Sequence, residues 1–233
     1  MKHIAKAAKM FIGVTSTSKT QIDQLGDRLR KGDVTEEDLR LLEAYRLSFD
    51  EAYEEVEASI HKAVQLEPAG RRAKTTGSII DKLRRETIRL SQIQDIAGCR
   101  LIVKDIVEED RVVDRLRGEL AKAVVIDRRK KPSYGYRAVH MIATARNRPI
   151  EIQVRTELQH LWAQLSEKLS DSRDPTIKYG GGDPEIRGRL SKLSEIIGLF
   201  EDLESPPVPI EMAEEIDQLK REIRRRLENE IAL

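Results

Sequence analysis

The chain has 233 residues, which suits one large domain or one domain with a helical extension. Its 42 basic residues nearly balance its 41 acidic ones, so net charge does not mark a nucleic-acid binder, although local basic clusters stay compatible with one. A single cysteine, Cys99, excludes an intrachain disulfide, and no apolar run is long enough for a membrane span or convincing as a signal peptide, so we expect a cytoplasmic protein without a cleaved leader.

The N-terminal part of the chain is predicted to be helical. A short basic helix is expected over 3–12 and a second helix over 20–31. Thr35 and Asp38 have the spacing of a capping box, so a third helix should begin there. Apolar residues then recur at helical spacing, which predicts one long helix to about residue 65 with a buried stripe.

A basic segment comes next and carries the first candidate site. Arg72 and Lys74 precede a helix that we expect to begin at Ser78, with Ser78 and Asp81 as its capping box and Lys82 on its first turns. A helix N-terminus favours phosphate, and the surrounding cations would make it a polyphosphate cradle. The glycine framework of a P-loop is absent. For the isolated cluster, a solvated basic turn is the alternative.

Asp95 is the second candidate, because it lies in a turn that enters a predicted strand over 99–104. Magnesium in phosphoryl-transfer sites takes one or two carboxylates together with phosphate oxygens. Capping of the turn by Asp95 is the alternative interpretation. A helix over 108–120 and a strand over 123–127 follow, and then a compact basic run made of Arg128, Arg129, Lys130 and Lys131.

A pair of strands joined by a tight turn is predicted over 137–145 and 150–155, after a tyrosine-glycine-tyrosine loop. The second strand alternates strictly, with three apolar residues on one face and Glu151, Gln153 and Arg155 on the other. This pattern indicates a strand with a core side and a chemical side. A solvated face on an edge strand is the alternative.

The C-terminal part is predicted to be helical again. Helices are expected over 157–170, 183–203 and 209–230, with a glycine-rich loop over 178–182 and a linker over 205–207. The last helix begins acidic and ends basic, an order that complements the helix dipole and therefore does not require a nucleic-acid site.

Four short motifs occur in a fixed order along the chain. The first motif is RAK (72–74), followed by Ser78 and by Lys82-Leu83. The other three are DIAGCR (95–100), GYRAVH (135–140) and EIQVRT (151–156). In this combination the chain resembles the synthetase domain of the RelA/SpoT family, the pyrophosphokinases that make (p)ppGpp, over roughly 71–179. The resemblance implies an α+β fold: a nucleotidyltransferase-like mixed β-sheet flanked by helices. The core would span 68–182, with helical extensions at 1–67 and 183–233.

The resemblance also implies an activity, the transfer of the β,γ-pyrophosphate of ATP to a ribose 3′-hydroxyl with Mg²⁺. Arg72 and Arg100 would contact or sandwich the adenine. Lys74, Ser78 and Lys82 would hold the phosphates. Asp95 would bind the metal, and Glu151 would assist the metal or act as the base on the attacking hydroxyl.

The acceptor side is implied in the same way. Tyr136 would stack on the acceptor base, since an aromatic ring is a stacking platform for nucleobases. His140 would stand near the phosphates, and we assign it to acceptor binding together with Gln153 and Arg155.

The helix after the second strand departs from the usual family pattern, because Ser166 and Glu167 replace a Glu-His pair. The altered helix resembles the toxic small alarmone synthetases of toxin–antitoxin modules. We therefore predict a small single-function toxin that modifies the 3′-terminal adenosine of the tRNA CCA end. A (p)ppGpp synthetase using GDP or GTP is the main alternative. An adenosine-nucleotide acceptor and a non-enzymatic RNA-binding or antitoxin-like module also stay open.

Partners follow from this prediction. The basic run over 128–131, and Lys2, Lys6 and Lys9, could hold the tRNA acceptor stem by its phosphates, although each is also compatible with a solvated face. A toxin needs a neutralising partner, so we expect an antitoxin. The helices after Gly182 could pack on the core, form a homo-oligomer or dock that antitoxin.

Overall fold

A computed structural model describes residues 17–205 and 209–232, with the side chains of Arg71, Arg72 and Ile210 excepted. The predicted helix over 3–12, its lysines Lys2, Lys6 and Lys9, and the prolines of the predicted linker lie outside the described residues. The chain divides into two compact units. The first unit comprises Met1–Lys62, Gly70–Cys99 and Ile142–Ile152, and the second comprises Ala63–Ala69, Arg100–Met141 and Gln153–Leu233.

Five strands form one sheet in the order β1-β2-β5-β4-β3. Their bounds are Arg71–Ala73 (β1), Ala97–Val103 (β2), Val124–Asp127 (β3), Val139–Ala145 (β4) and Arg148–Thr156 (β5). Strand β1 is antiparallel to β2, with Arg72 opposite Gly98. A two-residue turn joins β4 to β5, and both its residues, Arg146 and Asn147, have positive φ, as type I′ hairpin turns require.

The alternation of β5 is confirmed, but its second face is not in water. Ile150, Ile152 and Val154 are fully buried, as expected. Gln153 and Arg155 on the other face are also buried. The interpretation of β5 as a solvated edge strand is therefore wrong, because the strand lies between β2 and β4 in the sheet.

Helices α1 (Lys19–Lys31) and α2 (Glu36–Leu47) belong to the first unit, as does α3 (Asp50–Val64) up to Lys62. The capping box of Thr35 and Asp38 is confirmed at the start of α2. The single long helix predicted from this point is wrong, because the chain breaks after Leu47. The Ser48 hydroxyl donates to the Tyr45 carbonyl at 2.6 Å, and the ring of the buried Phe49 packs edge-on against Tyr45.

Helix α4 (Thr76–Arg85) also belongs to the first unit and begins earlier than expected. Thr75 is its N-cap, because the Thr75 hydroxyl oxygen accepts from the Ser78 N–H at 3.2 Å. The predicted capping box of Ser78 and Asp81 is therefore wrong. Thr75 supplies the same kind of oxygen three residues upstream, and this moves Ser78 into the first turn of the helix.

The second unit contains the remaining helices, α5 (Ile106–Glu119), α6 (Glu157–Ser172), α7 (Pro184–Glu204) and α8 (Ile210–Ala232). Its apolar core gathers residues from α6, α7 and the segment between them: Leu158, Trp162, Ala163, Ile177, Leu190 and Ile197. Helix α8 packs on α6, where the Lys168 ammonium donates to the Ile231 carbonyl at 2.7 Å and Arg224 pairs with Glu157 at 2.7 Å. Packing within the fold is thus one role of the last helix. Across the described helices, none combines the length and apolar character needed to cross a membrane.

Candidate functional site

The first unit contains a cavity of about 150 Å³. Its walls come from the end of β1, the start of α4, the turn before β2 and one residue of β5. The lining residues are Ala73, Lys74, Thr75, Ser78, Asp95, Gly98, Cys99 and Glu151. Four predicted site residues, from three separate motifs, therefore line one cavity. We call it the first-unit cavity.

The centre of this site is the carboxylate of Asp95. It accepts from the Lys74 ammonium at 2.8 Å and from the Lys82 ammonium at 3.0 Å, and its side chain is 22% exposed. Burial by itself would raise the pKa of Asp95, but the two lysines outweigh burial and lower the pKa below its usual value. The cluster therefore carries two ammonium groups and one carboxylate at neutral pH. Its excess positive charge suits a polyphosphate.

Gly98 determines how closely β2 approaches β5 within the first unit. A Cβ at Gly98 would lie 2.3 Å from the carbonyl oxygen of Glu151, which is a steric clash. Only glycine, which has no Cβ, fits at this position. The Glu151 side chain is half-buried and lines the first-unit cavity. Sequence reasoning quoted Gly98 in a motif without this role, and the only signal was a glycine directly before the strand predicted over 99–104.

Cys99 is a second lining residue that sequence reasoning did not assign. Burial raises the pKa of its thiol to about 12, with smaller contributions from Glu57 and Glu151. The thiol is therefore neutral at physiological pH, and it is a poor nucleophile. Cys99 contributes volume and a neutral wall to the first-unit cavity.

The chemistry of the donor set fits a magnesium ion that arrives with a polyphosphate. Two carboxylates, Asp95 and Glu151, line the first-unit cavity, and magnesium takes one or two carboxylates plus phosphate oxygens and water. Residues 17–205 and 209–232 contain no group of three or more His, Cys, Asp or Glu side chains able to hold a metal by themselves. The ligand's own phosphates would complete the coordination.

Four predicted acceptor residues meet in the second unit, and we call them the tyrosine cluster: Tyr136, His140, Gln153 and Arg155. The Arg155 Nη2 donates to the Tyr136 hydroxyl at 2.7 Å and to the Gln153 Oε1 at 2.9 Å. The same hydroxyl lies 2.8 Å from the His140 Nε2, and the Arg155 guanidinium lies 4.9 Å from the centre of the Tyr136 ring. The structure thus holds the tyrosine ring in one orientation.

Arg155 is a costly residue for the fold. Arg155 is only 2% exposed, and its Nε and Nη1 are buried with no hydrogen-bond partner among the described residues. Nearby, burial, followed by the charges of Arg100 and Arg155, lowers the pKa of His160 to about 4, so this imidazole is neutral at physiological pH. Buried charges with unused donors are concentrated at binding sites.

The predicted adenine contacts are less complete. Arg100 belongs to the second unit, and its carbonyl accepts from the Ala69 N–H at 2.7 Å. The side chain of Arg72 lies outside the described part of the chain, so the pairing of Arg72 with Arg100 around adenine stays a prediction.

Comparison with known proteins identifies this part of the chain. Residues 71–171 match the model of the region found in RelA / SpoT proteins. The four motifs that carried the resemblance to this family all lie within the matched residues, and the toxic subtype stays a prediction.

Two curated relatives show how far the likeness extends. An uncharacterized protein of Mycobacterium tuberculosis is 34% identical over 140 residues, which are 56% of this chain and 50% of that protein. The GTP pyrophosphokinase YjbM of Bacillus subtilis is 30% identical over 140 residues, which are 53% of this chain and 63% of that protein. The chain thus spans about half the length of the mycobacterial relative.

The fold is shared with a solved structure. Small alarmone synthetase 1 from Bacillus subtilis, bound to its product pppGpp, superposes with a TM-score of 0.55 at 23% identity. The match covers 76% of this chain and 97% of that one. The α+β, nucleotidyltransferase-like fold predicted for the RelA/SpoT region is therefore confirmed.

The basic run over 128–131, inside the matched residues, is not uniformly exposed. Arg129 is only 14% exposed at its side chain, and its guanidinium pairs with Asp127, Asp110 and Glu109 at 2.9, 2.8 and 3.2 Å. This corrects the expectation that all four side chains of the run could hold RNA phosphates. Arg128 donates to the Ser133 hydroxyl at 3.1 Å, whereas Lys130 and Lys131 are exposed.

Arg129 belongs to a buried polar network that sequence reasoning missed. Gln159 donates from its amide nitrogen to Glu109 at 3.1 Å and to Glu201 at 2.7 Å, and Arg137 donates twice to Glu201. Burial raises the pKa of Glu109 to about 7, although Arg129 and Gln159 oppose the shift. No sequence signal pointed to this network, because its members come from three helices and the segment between β3 and β4, far apart along the chain.

The helix that departs from the family pattern is α6. Ser166 is buried, and its carbonyl accepts from the Ser170 hydroxyl at 2.8 Å, while Glu167 is exposed. Ser166 therefore serves packing within the second unit. The proposed effect of this pair on the acceptor stays a prediction.

Proposed function

We propose that this chain is a pyrophosphokinase that transfers the β,γ-pyrophosphate of ATP to a ribose 3′-hydroxyl. The observation that carries the proposal is the first-unit cavity, where Lys74 and Lys82 hold the Asp95 carboxylate and Glu151 forms another wall. Phosphoryl-type transfer needs charge neutralisation and positioning more than covalent chemistry from the protein. The name of the relative YjbM and the shared fold support the same reaction type.

The residues of the first-unit cavity have distinct roles in this proposal. Polyphosphate oxygens accept from Lys74, Lys82 and the Ser78 hydroxyl, and the two lysines turn from Asp95 to the phosphates. The Asp95 carboxylate is then available to a magnesium ion, which neutralises phosphate charge when it is bound. The Arg72 and Arg100 guanidinium groups hold the adenine.

The transfer step balances without any further reactant. The acceptor 3′ oxygen attacks the β-phosphorus of ATP, and the bond from that phosphorus to the oxygen bridging to the α-phosphorus breaks. AMP leaves with the bridging oxygen. The hydroxyl proton goes to the Glu151 carboxylate, which lines the first-unit cavity beside Asp95.

For the acceptor we propose the 3′-terminal adenosine of tRNA, with Tyr136 stacked on its base and His140, Gln153 and Arg155 holding that ring. The altered pair Ser166 and Glu167 and the exposed Lys130 and Lys131 support this choice. A blocked 3′ end cannot accept an amino acid, so the chain would act as a cytoplasmic toxin of translation. We therefore propose an antitoxin partner.

A second candidate acceptor is a guanosine nucleotide. The relative YjbM is named a GTP pyrophosphokinase, and the small alarmone synthetase of the same fold was solved with pppGpp. Tyr136 would stack on guanine as it would on adenine, because stacking is tolerant of base identity.

The test supplies ATP labelled in its β and γ phosphates, with magnesium, and offers GDP, GTP, AMP and deacylated tRNA separately. We expect label on tRNA that disappears when the terminal adenosine is removed. Label on GDP or GTP alone would establish the second candidate and reject the tRNA acceptor. No transfer to any acceptor, from protein whose melting temperature Mg-ATP raises, would reject the pyrophosphokinase.

A further inference from the structure

Two tyrosines of the second unit are exposed, unlike the other aromatic residues. The Tyr134 residue is 66% exposed and Tyr179 is 41% exposed, and no other aromatic residue within 17–205 and 209–232 is as open to solvent. Exposed rings cost free energy, because their apolar faces remain in water. We call Tyr134 and Tyr179 the aromatic rim.

The Tyr134 ring lies against the chain segment that carries Tyr179. Tyr134 has φ +54, which is rare for a residue with a side chain, and Gly135 follows it with φ +88. The Tyr134 ring lies directly against Gly180, since a Cβ at that glycine would be 2.3 Å from the ring atoms. Gly180 is the neighbour of Tyr179 in the chain. One face of Tyr134 is therefore packed against this segment.

Cations and a carboxylate surround the aromatic rim. The Lys178 ammonium lies 5.4 Å from the centre of the Tyr179 ring, and the Arg187 guanidinium donates to the Gly180 carbonyl at 2.8 Å. A cavity of about 500 Å³ opens beside Tyr134 and Gly180, and Arg187, Ser191 and Glu195 contribute to its walls. We call it the second-unit cavity, and its volume lies in the range of roughly 300–1,000 Å³ typical of ligand sites.

We propose that the aromatic rim and the second-unit cavity bind the single-stranded nucleotides that precede the acceptor adenosine of an RNA 3′ end. The proposal rests on the proposed function and deepens it, because it specifies which part of the RNA is recognised. Proteins bind single strands by stacking successive bases on aromatic rings and by holding phosphates with cations. Tyr134 and Tyr179 supply two stacking faces, and Lys178 and Arg187 supply the cations.

The second-unit cavity also favours certain bases. The Glu195 carboxylate accepts from the Ser191 hydroxyl at 3.3 Å and lines the cavity. A carboxylate accepts well from the amino groups of cytosine and adenine, whereas uracil offers an oxygen at the corresponding position. The cavity therefore suits cytidines, and a 3′ end with two cytidines before the adenosine matches a site with two stacking faces.

The test measures binding of a 5′-fluorescein single-stranded RNA ending in CCA, by anisotropy at one fixed salt concentration. We expect Tyr134→Leu to weaken binding about tenfold, because base–aromatic stacking is lost while apolar volume is kept. Tyr134→Phe keeps the stacking face and should bind within about twofold of the wild type. Leu199→Ala is the matched surface control, since Leu199 is exposed and does not line the second-unit cavity.

A second probe tests the choice of base. Replacing both cytidines by uridines should weaken binding to the wild type, and Glu195→Ala should remove that discrimination. Free cytidine monophosphate should compete poorly, because it uses only one of the two stacking faces.

Several outcomes would overturn the proposal: no RNA binding by the wild type, unchanged binding by Tyr134→Leu, or competition by cytidine monophosphate equal to that of the oligonucleotide. The labelled-ATP assay separates this failure from failure of the proposed acceptor. Tyr134-dependent RNA binding with label only on guanosine nucleotides would retain the aromatic rim and reject the tRNA acceptor. Label on tRNA with unchanged RNA binding by Tyr134→Leu would retain the tRNA acceptor and reject the aromatic rim as an RNA-binding site.

Discussion

The first-unit cavity and the tyrosine cluster differ in how they treat charge. In the first-unit cavity, the Asp95 carboxylate pairs with the Lys74 and Lys82 ammonium groups at hydrogen-bond distance, so each of these three charges has a partner. In the tyrosine cluster, the Arg155 guanidinium is buried, and two of its nitrogens have no partner among the described residues. The first site can exchange its ion pairs for phosphate and metal, whereas the second keeps unused donors.

The difference indicates two ways in which a fold can position charged side chains for a ligand. Paired charges keep their positions until a ligand group of the same charge replaces one partner. The free-energy cost of the ligand-free site is therefore small. An unpaired buried guanidinium costs stability permanently and is retained where it orients a neighbour, here the Tyr136 hydroxyl at 2.7 Å. We therefore expect a mutation in the first-unit cavity to lower transfer. A mutation of Arg155 should weaken acceptor binding without lowering the free energy of unfolding.

The largest effect is expected in the first-unit cavity. Asp95→Asn should lower the proposed pyrophosphate transfer more than about 100-fold, because the proposed metal ligand is lost and Lys74 and Lys82 lose their counter-charge. Turnover and the melting-temperature shift caused by Mg-ATP are the measurements. Asp81→Asn, an exposed aspartate on α4, is the matched control. Near-normal turnover by Asp95→Asn would remove Asp95 from the mechanism.

The next effect concerns the tyrosine cluster. Arg155→Met should raise the acceptor KM about tenfold with the ATP KM unchanged, because Tyr136 loses its orienting donor. The free energy of unfolding should be equal to or higher than that of the wild type, because a buried charge is replaced by an apolar chain. Denaturant unfolding measures it, with Arg117→Met as an exposed control. A loss of several kcal/mol of stability would contradict our view of Arg155.

A smaller effect is expected at the exposed part of the basic run. Lys130→Glu combined with Lys131→Glu should weaken tRNA modification and reduce the salt dependence of RNA binding by about two phosphate contacts. The logarithm of the affinity against the logarithm of salt concentration gives the slope. Lys122→Glu is the control, since Lys122 is also exposed. An unchanged slope would assign Lys130 and Lys131 to a solvated surface.

The last prediction concerns stability rather than activity and involves the buried network of the second unit. The folded-state pKa of Glu109 is about 7, against 4.5 for the free group. The folded state therefore binds more protons between these values, and stability should fall as pH rises through this window, by at most about 1.4 kcal/mol per pH unit. Glu109→Gln should remove this fall, which unfolding curves from pH 4 to 8 would show. A wild type whose stability rises across the window would contradict the shift.

Much of the fold and site followed from short-range patterns. The alternation of β5, the capping box of Thr35 and the motifs around Lys74, Asp95 and Glu151 each depend on residues a few positions apart, where backbone geometry decides which side chains share a face. Fixed spacings within such motifs also carried the resemblance to the RelA/SpoT family, and residues 71–171 match the model of the region found in RelA / SpoT proteins.

Tertiary structure alone decided the features that depend on distant neighbours. Arg129 looked like part of a surface run, and carboxylates from three other positions bury it. Tyr134 lies against Gly180 although 46 positions separate them in the sequence. The helix break at Ser48 depends on the burial of Phe49, and the central place of β5 depends on strand order. Local propensity cannot encode such contacts, because whether a polar side chain meets water or a buried partner is determined by the segments packed against it.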